Sequence, residues 1–262
     1  MDKKIRELIA KAAFKSKASH VGSALSIVEI LEALYFRVAN YSKENCKSED
    51  RDRIILSKGH GSLALYCVLV LKGIIPEDYL DKYLVNGGKL PCHIDMNSAP
   101  GLEASTGSLG HGLGIAEGMA LANRLKNIKS RIFVIIGDGE FQEGSIMEAL
   151  NSIGSLNLNE ITVILDNNHF QASAASSEIT DENKYPKIFE AFGFETITVD
   201  GHNVDELEKA LKTKTSRPLA IIANTFKGRG FSFMENTLES HYIKFDEDKL
   251  NIALKELSEA EL

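Results

Sequence analysis

Residues 131–144 read RIFVIIGDGEFQEG, and this stretch decides the fold. The run at 131–136 is apolar and rich in Ile and Val, and it ends at Gly137. It is predicted to be a strand buried on both faces. Gly137-Asp138-Gly139 then holds a carboxylate on a tight turn, between two residues that let the backbone approach a ligand closely. A helix is predicted over 145–155. A second buried strand, ITVIL at 161–165, runs into Asp166-Asn167-Asn168-His169-Phe170. Strand, helix and strand in this order make a parallel crossover. Asp138 and Asn168, thirty residues apart, are therefore expected side by side at the carboxyl ends of two neighbouring strands.

Taken alone, Asp138 reads as a turn residue that caps a helix. Paired with Asn168 it reads as a ligand site. A carboxylate oxygen and an amide oxygen suit Mg²⁺ or Ca²⁺, with carbonyl and phosphate oxygens completing the shell. Backbone N–H groups near Gly139 can receive an anion from the same ligand. The combination describes a metal-bridged diphosphate site.

The alternation continues outward. Ile5, Leu8, Ile9, Ala12 and Ala13 fall on one helical face. A helix is predicted over 26–38 from Ile27, Ile30, Leu31 and Leu34, then a strand at 53–56 and a helix at 62–71 that is apolar all round. Further helices are expected at 113–125 and 203–211, the latter with Asn203 as N-cap, and strands at 194–199 and 219–223. The fold class is α/β, a parallel sheet with helices on both faces. Residues 86–112 break the pattern. They carry Gly87, Gly88, Gly101, Gly107, Gly110 and Gly112 without helical or strand periodicity, and a long irregular segment in a compact domain is usually functional.

Composition narrows the class. The 262 residues include 30 Lys and Arg against 37 Asp and Glu, a formal charge of −7, with 44% hydrophobic and 26% charged residues. These values exclude a disordered chain and argue against a surface built to neutralise nucleic-acid phosphates. The longest apolar run, 63–71, falls well short of the ~20 residues of a membrane span. Asp2 and Glu7 interrupt the basic N-terminus, unlike a signal peptide. Cys46, Cys67 and Cys92 are odd in number and widely spaced, which points to free thiols in a reducing cytoplasm.

Gly-Asp-Gly followed by Asn after the next apolar strand resembles the thiamine diphosphate signature. Three blocks, in order, resemble transketolase: Ser57-Lys58-Gly59-His60-Gly61, residues 101–112 (GLEASTGSLGHG) and residues 137–144 (GDGEFQEG). The likeness runs over about residues 5–245 and is to the diphosphate-binding half of that family. It implies the thiamine diphosphate-binding fold, a single diphosphate-half domain over 1–262, and no pyrimidine-binding domain in this chain.

The resemblance also implies roles. Asp138, Asn168 and the carbonyl of Phe170 correspond to ligands of Mg²⁺ or Ca²⁺. Gly139 and His60 correspond to diphosphate contacts, and Gly107 and Leu109 to residues that touch the aminopyrimidine. His20, His93 and His241 correspond to catalytic histidines beside the reactive thiazolium carbon, His241 also touching the cofactor. Glu143 corresponds to an acid in a carboxylate network at a subunit interface. The implied reaction moves a two-carbon ketol unit from a ketose or ketose phosphate to an aldehyde acceptor through a thiamine diphosphate adduct. The implied α₂β₂ assembly pairs this chain with a separately encoded pyrimidine-binding subunit and is inactive without it, with no nucleic acid or membrane partner.

Several positions depart from the family pattern. Phe170-Gln171-Ala172-Ser173-Ala174 replaces the usual Leu-Gln-Ile-Asp-Gly. Cys92 and Ile94 flank His93 in place of Gly and Pro, and His241 lacks its usual following Gly. These changes lie at the expected substrate channel and tilt the reading toward a specialised sugar substrate. His111 stands where Gln is common, His169 is expected to contact cofactor only through backbone, and His202 is expected to be solvated. Lys227-Gly228-Arg229-Gly230 reads equally as the family's Lys-Gly turn or as a solvated loop. Alternative readings are a component of a 2-oxo acid dehydrogenase or decarboxylase and a non-catalytic scaffold with the same fold. A nucleotide-binding Rossmann domain fits less well, because no Gly-x-Gly-x-x-Gly turn follows the first strand.

Overall fold

The computed structural model describes residues 1–259. The chain opens with helix α1 (Asp2–Ser16), short helices α2 (Val21–Leu25) and α3 (Val28–Glu32), and a π-helical turn at Ala33–Val38. Strand β1 (Arg53–Leu56) and helix α4 (Ser62–Leu71) follow, then the glycine-rich segment and α5 (His111–Lys126). The centre is β2 (Ile132–Gly137), α6 (Gly144–Ser155) and β3 (Ile161–Asn167). The remainder is α7 (Ser176–Ile179), α8 (Tyr185–Ala191), β4 (Glu195–Asp200), α9 (Val204–Leu211), β5 (Leu219–Asn224) and α10 (Glu247–Glu259).

The five strands form one parallel sheet in the order β1-β2-β3-β5-β4. Alternate residues of each strand feed two apolar layers. Phe133, Ile135, Ile164 and Ile221 pack beneath α1–α4 and α9. Ile132, Val134, Ile136, Val163 and Leu165 pack against α5, α6 and α8. Central strands sandwiched this way must be apolar at every position, as IFVIIG of β2 is.

The expected strands are all present, with ends shifted by a residue or two. The helix expected over 26–38 is different. Ile27 has non-helical backbone angles (φ −103°, ψ 11°), so α3 begins only at Val28, ends at Glu32 and passes into the π-helical turn at Ala33–Val38, while α2 lies before the expected segment. Beside this break the Ser26 hydroxyl is buried and donates to Asp166 Oδ2 at 2.8 Å, a tertiary bond invisible to periodicity. Helices α8, with Pro186 in its first turn, and α10, with Ala253 and Leu257 buried, lie outside the elements expected from periodicity.

Candidate active site

The parallel register pairs Gly137 with Asp166, so Asp138 and Asn168 follow directly at the carboxyl ends of β2 and β3. Asp138 Oδ1 accepts from the Gly139 N–H at 2.8 Å and Oδ2 from the Ser176 hydroxyl at 2.7 Å. After Asn168 the chain turns through His169, held at φ 68°, into a hairpin in which Gln171 N–H donates to Ala174 O and Ser176 N–H to His169 O. That hairpin carries the Phe170 carbonyl and brings Ser176 back to Asp138.

Beneath Asn168 lies Asp166, fully buried. Its oxygens accept from Lys58 Nζ at 2.5 Å, Thr225 Oγ1 at 2.5 Å, Ser26 Oγ at 2.8 Å and Asn168 Nδ2 at 2.9 Å. Burial alone would raise this carboxyl, but the Lys58 ammonium and the donors hold it below the usual range. Because the Asn168 nitrogen is engaged, its amide oxygen faces the other way, where it accepts the Phe170 N–H at 3.2 Å.

Four imidazoles cluster on the opposite wall. His20 is held in the left-handed region (φ 63°) by its N–H bond to His241 O, and its Nδ1 lies 3.0 Å from His241 Nε2. The His20 ring centroid is 5.5 Å from His60, 5.9 Å from His93 and 4.6 Å from His241. Burial, then neighbouring cations and imidazoles, lowers His20, takes His60 well below its usual value and brings His241 to about 4. These three rings are therefore neutral at pH 7 and able both to donate and to accept. Gly107 sits at φ 132° against His93, where a Cβ would lie 2.6 Å from the ring, so only glycine fits.

These walls enclose a cavity of about 350 Å³. It is lined by His20, His60, His93, Gly107, Leu109, Asp138, Gly139, Glu143, Asn168, Phe170 and His241, every site residue singled out from the sequence. Glu143 lies exposed at its margin, beside Gly110. His111 is outside it, exposed with Nδ1 3.2 Å from Leu109 O, and His169 Nδ1 contacts Glu182 at 2.7 Å.

One expectation needs correction. His202 is not solvated: its side chain is 8% exposed, Nε2 accepts the Phe226 N–H at 2.8 Å, and Nδ1 lies 3.0 Å from Glu29. Of the two equal readings of the 227–230 turn, the solvated loop does not hold at Lys227. Lys227 is buried, lines the cavity, and donates to Gln171 O at 3.0 Å; burial lowers it to about 8. Lys58, Glu140 and Gln171 also line the cavity, and sequence reasoning alone gives them no role. Each stands inside a quoted motif, but a buried carboxylate or ammonium is only recognisable from its partners.

The donor set fits a divalent cation with a diphosphate. Burial, aided by the Asp166 charge, raises Asp138 to about 6, the mark of a carboxylate short of positive charge. Among the described residues no group of three or more His, Cys, Asp or Glu could hold a metal ion. One carboxylate with an amide and a carbonyl oxygen instead suits a hard cation whose remaining ligands are phosphate oxygens. Inside the cavity His241 Nδ1 and Gln171 Nε2 are buried without a partner, as expected where a polar ligand belongs.

A parallel sheet with a polar cavity at its strand ends is the arrangement of a ligand-binding α/β domain, and family likeness gives its class as thiamine diphosphate-binding. Residues 1–258 match the family described as "Transketolase, thiamine diphosphate binding domain", and the chain belongs to that family. It is 41% identical over 256 residues to a 6-deoxy-6-sulfo-D-fructose transketolase subunit from Clostridium sp. (strain MSTE9). It is 38% identical over 256 residues to an apulose-4-phosphate transketolase subunit from Actinobacillus succinogenes. Each alignment covers 97% of this chain and 93% of the relative. The transketolase structure from Campylobacter jejuni superposes with a TM-score of 0.92 at 29% identity, covering 98% of this chain and 42% of that one. The chain thus spans about two-fifths of the length of that full transketolase.

Proposed function

We propose that this chain is the diphosphate-binding subunit of a heteromeric transketolase, which transfers a two-carbon ketol unit from a ketose or ketose phosphate to an aldehyde acceptor. The observation that carries the reading is the convergence of the histidine cluster and the Asp138–Asn168 oxygens on one cavity. The relatives of matching length, named as transketolase subunits, support a partner. That partner would be a separately encoded pyrimidine-binding subunit, and the assembly a heterotetramer of two copies each. The three unpaired thiols fit a cytoplasmic setting, and among the described residues no helix is long and apolar enough to cross a membrane.

Asp138, Asn168 and the Phe170 carbonyl would hold Mg²⁺ or Ca²⁺, with Gly139 and His60 against the diphosphate and Gly107 and Leu109 against the pyrimidine. Thiamine diphosphate supplies, when bound, the nucleophilic carbon and electron sink for C–C cleavage. His20, His93 and His241 lie where a sugar carbonyl and its hydroxyls enter. Being uncharged, His20 and His241 can take a proton from a hydroxyl and donate one to an oxygen that gains charge. Their mutual bond fixes which nitrogen is free for that exchange.

The test is reconstitution. The purified full chain with thiamine diphosphate and Mg²⁺ is expected to show no ketol transfer until the pyrimidine-binding subunit is added, and then to accept ketoses rather than 2-oxo acids. Robust transfer by the chain alone would refute the two-subunit arrangement.

A further inference from the structure

The buried carboxylate of Glu140 has no place in the reading above. It lines the cavity, yet its bonds run backwards into the protein. Oε1 accepts from the Ser57 hydroxyl at 2.5 Å and the Gly110 N–H at 2.8 Å, and Oε2 accepts from the Gly137 N–H at 3.2 Å. Ser57 Oγ in turn accepts the Gly112 N–H at 3.1 Å. Helix α5 begins at this point with Gly110 as N-cap and no side-chain cap of its own. Four amides at a helix start need partners, and a carboxylate there is favoured by the helix dipole. Glu140 and Ser57 supply that cap from two other strand ends.

The three loops joined this way are those after β1, before α5 and after β2. Two of them line the cavity: Gly107 and Leu109 stand within three residues before Gly110, and Asp138 and Gly139 follow Gly137 directly. The fit is close, since a Cβ on Gly112 would lie 2.3 Å from Ser57 Oγ. Neither loop can shift relative to the other without breaking a bond to a carboxylate buried at 2% exposure.

We propose that Glu140 is a positioning residue that sets the span between the pyrimidine-side loop at 107–110 and the diphosphate-side loop at 137–139, acting through Ser57 and the N-terminus of α5. This rests on the cofactor assignment above. A ligand that touches both loops depends on the span, and one that touches a single loop does not.

Calorimetry of the assembled enzyme with Mg²⁺ separates the two, using thiamine diphosphate and inorganic pyrophosphate as probes. Glu140→Gln is expected to weaken thiamine diphosphate about tenfold or more and pyrophosphate less than about threefold. Equal losses for both probes, or none for either, would overturn the inference. A wild-type assembly that binds neither would instead refute the cofactor assignment. Ser57→Ala keeps the carboxylate and its bonds to Gly110 and Gly137 while removing the Ser57 bonds to Glu140 and Gly112, so it serves if Glu140→Gln fails to fold. It is expected to show the same imbalance at about threefold, and an unchanged ratio would count against the proposal. Without any ligand, amide exchange at Gly110 and Gly112 is expected to quicken in either variant while β3 and β5 stay protected. Unchanged exchange there would also overturn it.

Discussion

The amide nitrogen of Asn168 donates to Asp166 Oδ2 at 2.9 Å, and this one bond decides which way the amide oxygen points. Asp166 is in turn charged and immobile because Lys58 is paired to it at 2.5 Å with both side chains buried. A cation-binding oxygen is thus oriented by a buried ion pair beneath it. Removing one member leaves the other uncompensated, which is the costly case for buried pairs.

Asp166→Asn is therefore expected to destabilise the chain by about 3–5 kcal/mol, measured by urea denaturation. The loss should be partly recovered by pairing it with Lys58→Met, which removes the stranded ammonium.

Asp138 should behave in the opposite sense. Its carboxyl is raised to about 6 from 3.8, with burial the main cause. Between those values the folded chain binds more protons than the unfolded one, so stability falls as pH rises through the window. Above about pH 6 the penalty is complete, on the order of 3 kcal/mol. Asp138→Asn should raise the thermal midpoint of the ligand-free chain at pH 7. It should also abolish cation-dependent thiamine diphosphate binding by calorimetry. Unchanged binding would sink the metal assignment.

The histidine cluster predicts acid lability. His241 titrates at about 4 against 6.5 unfolded, burial being the leading cause, and His20 and His60 are lowered too. In this window the unfolded chain binds more protons, so stability is complete above about pH 6.5 and is lost as pH falls toward about 4. Solvent in the open cleft limits the His241 share to ~1–2 kcal/mol. Urea midpoints at pH 7 and 5 measure the slope, and His241→Asn should flatten it.

In the assembled enzyme, His20→Ala and His241→Ala are each expected to lower kcat by ~10²–10⁴ while leaving the cofactor dissociation constant within about threefold. Single-turnover kinetics would separate this from a binding defect; a change confined to KM would argue against proton exchange by these rings.

Gly107→Ala tests the close approach to His93. Both the positive φ and the 2.6 Å contact oppose a methyl group. The variant should lose about 1–3 kcal/mol of stability and bind thiamine diphosphate more weakly.

Amino-acid order alone determined the central strands, their parallel sense and the meeting of Asp138 with Asn168. Those follow from runs such as IFVII and ITVIL, whose lack of a polar face requires burial on both sides, and from a crossover length that leaves one arrangement. The histidines of the cavity were legible because they stand in glycine-rich loops rather than on helix faces. Tertiary structure decided what local pattern cannot carry. The burial of Ser26, the burial of His202 and the inward course of Lys227 each depend on a partner far along the chain: Asp166, Glu29 with Phe226, and Gln171. A polar side chain reads as solvated until its partner is known, because only a satisfied hydrogen bond or an opposite charge offsets the cost of burial. The long-range pairs that permit it exist only once the sheet has brought its strand ends together.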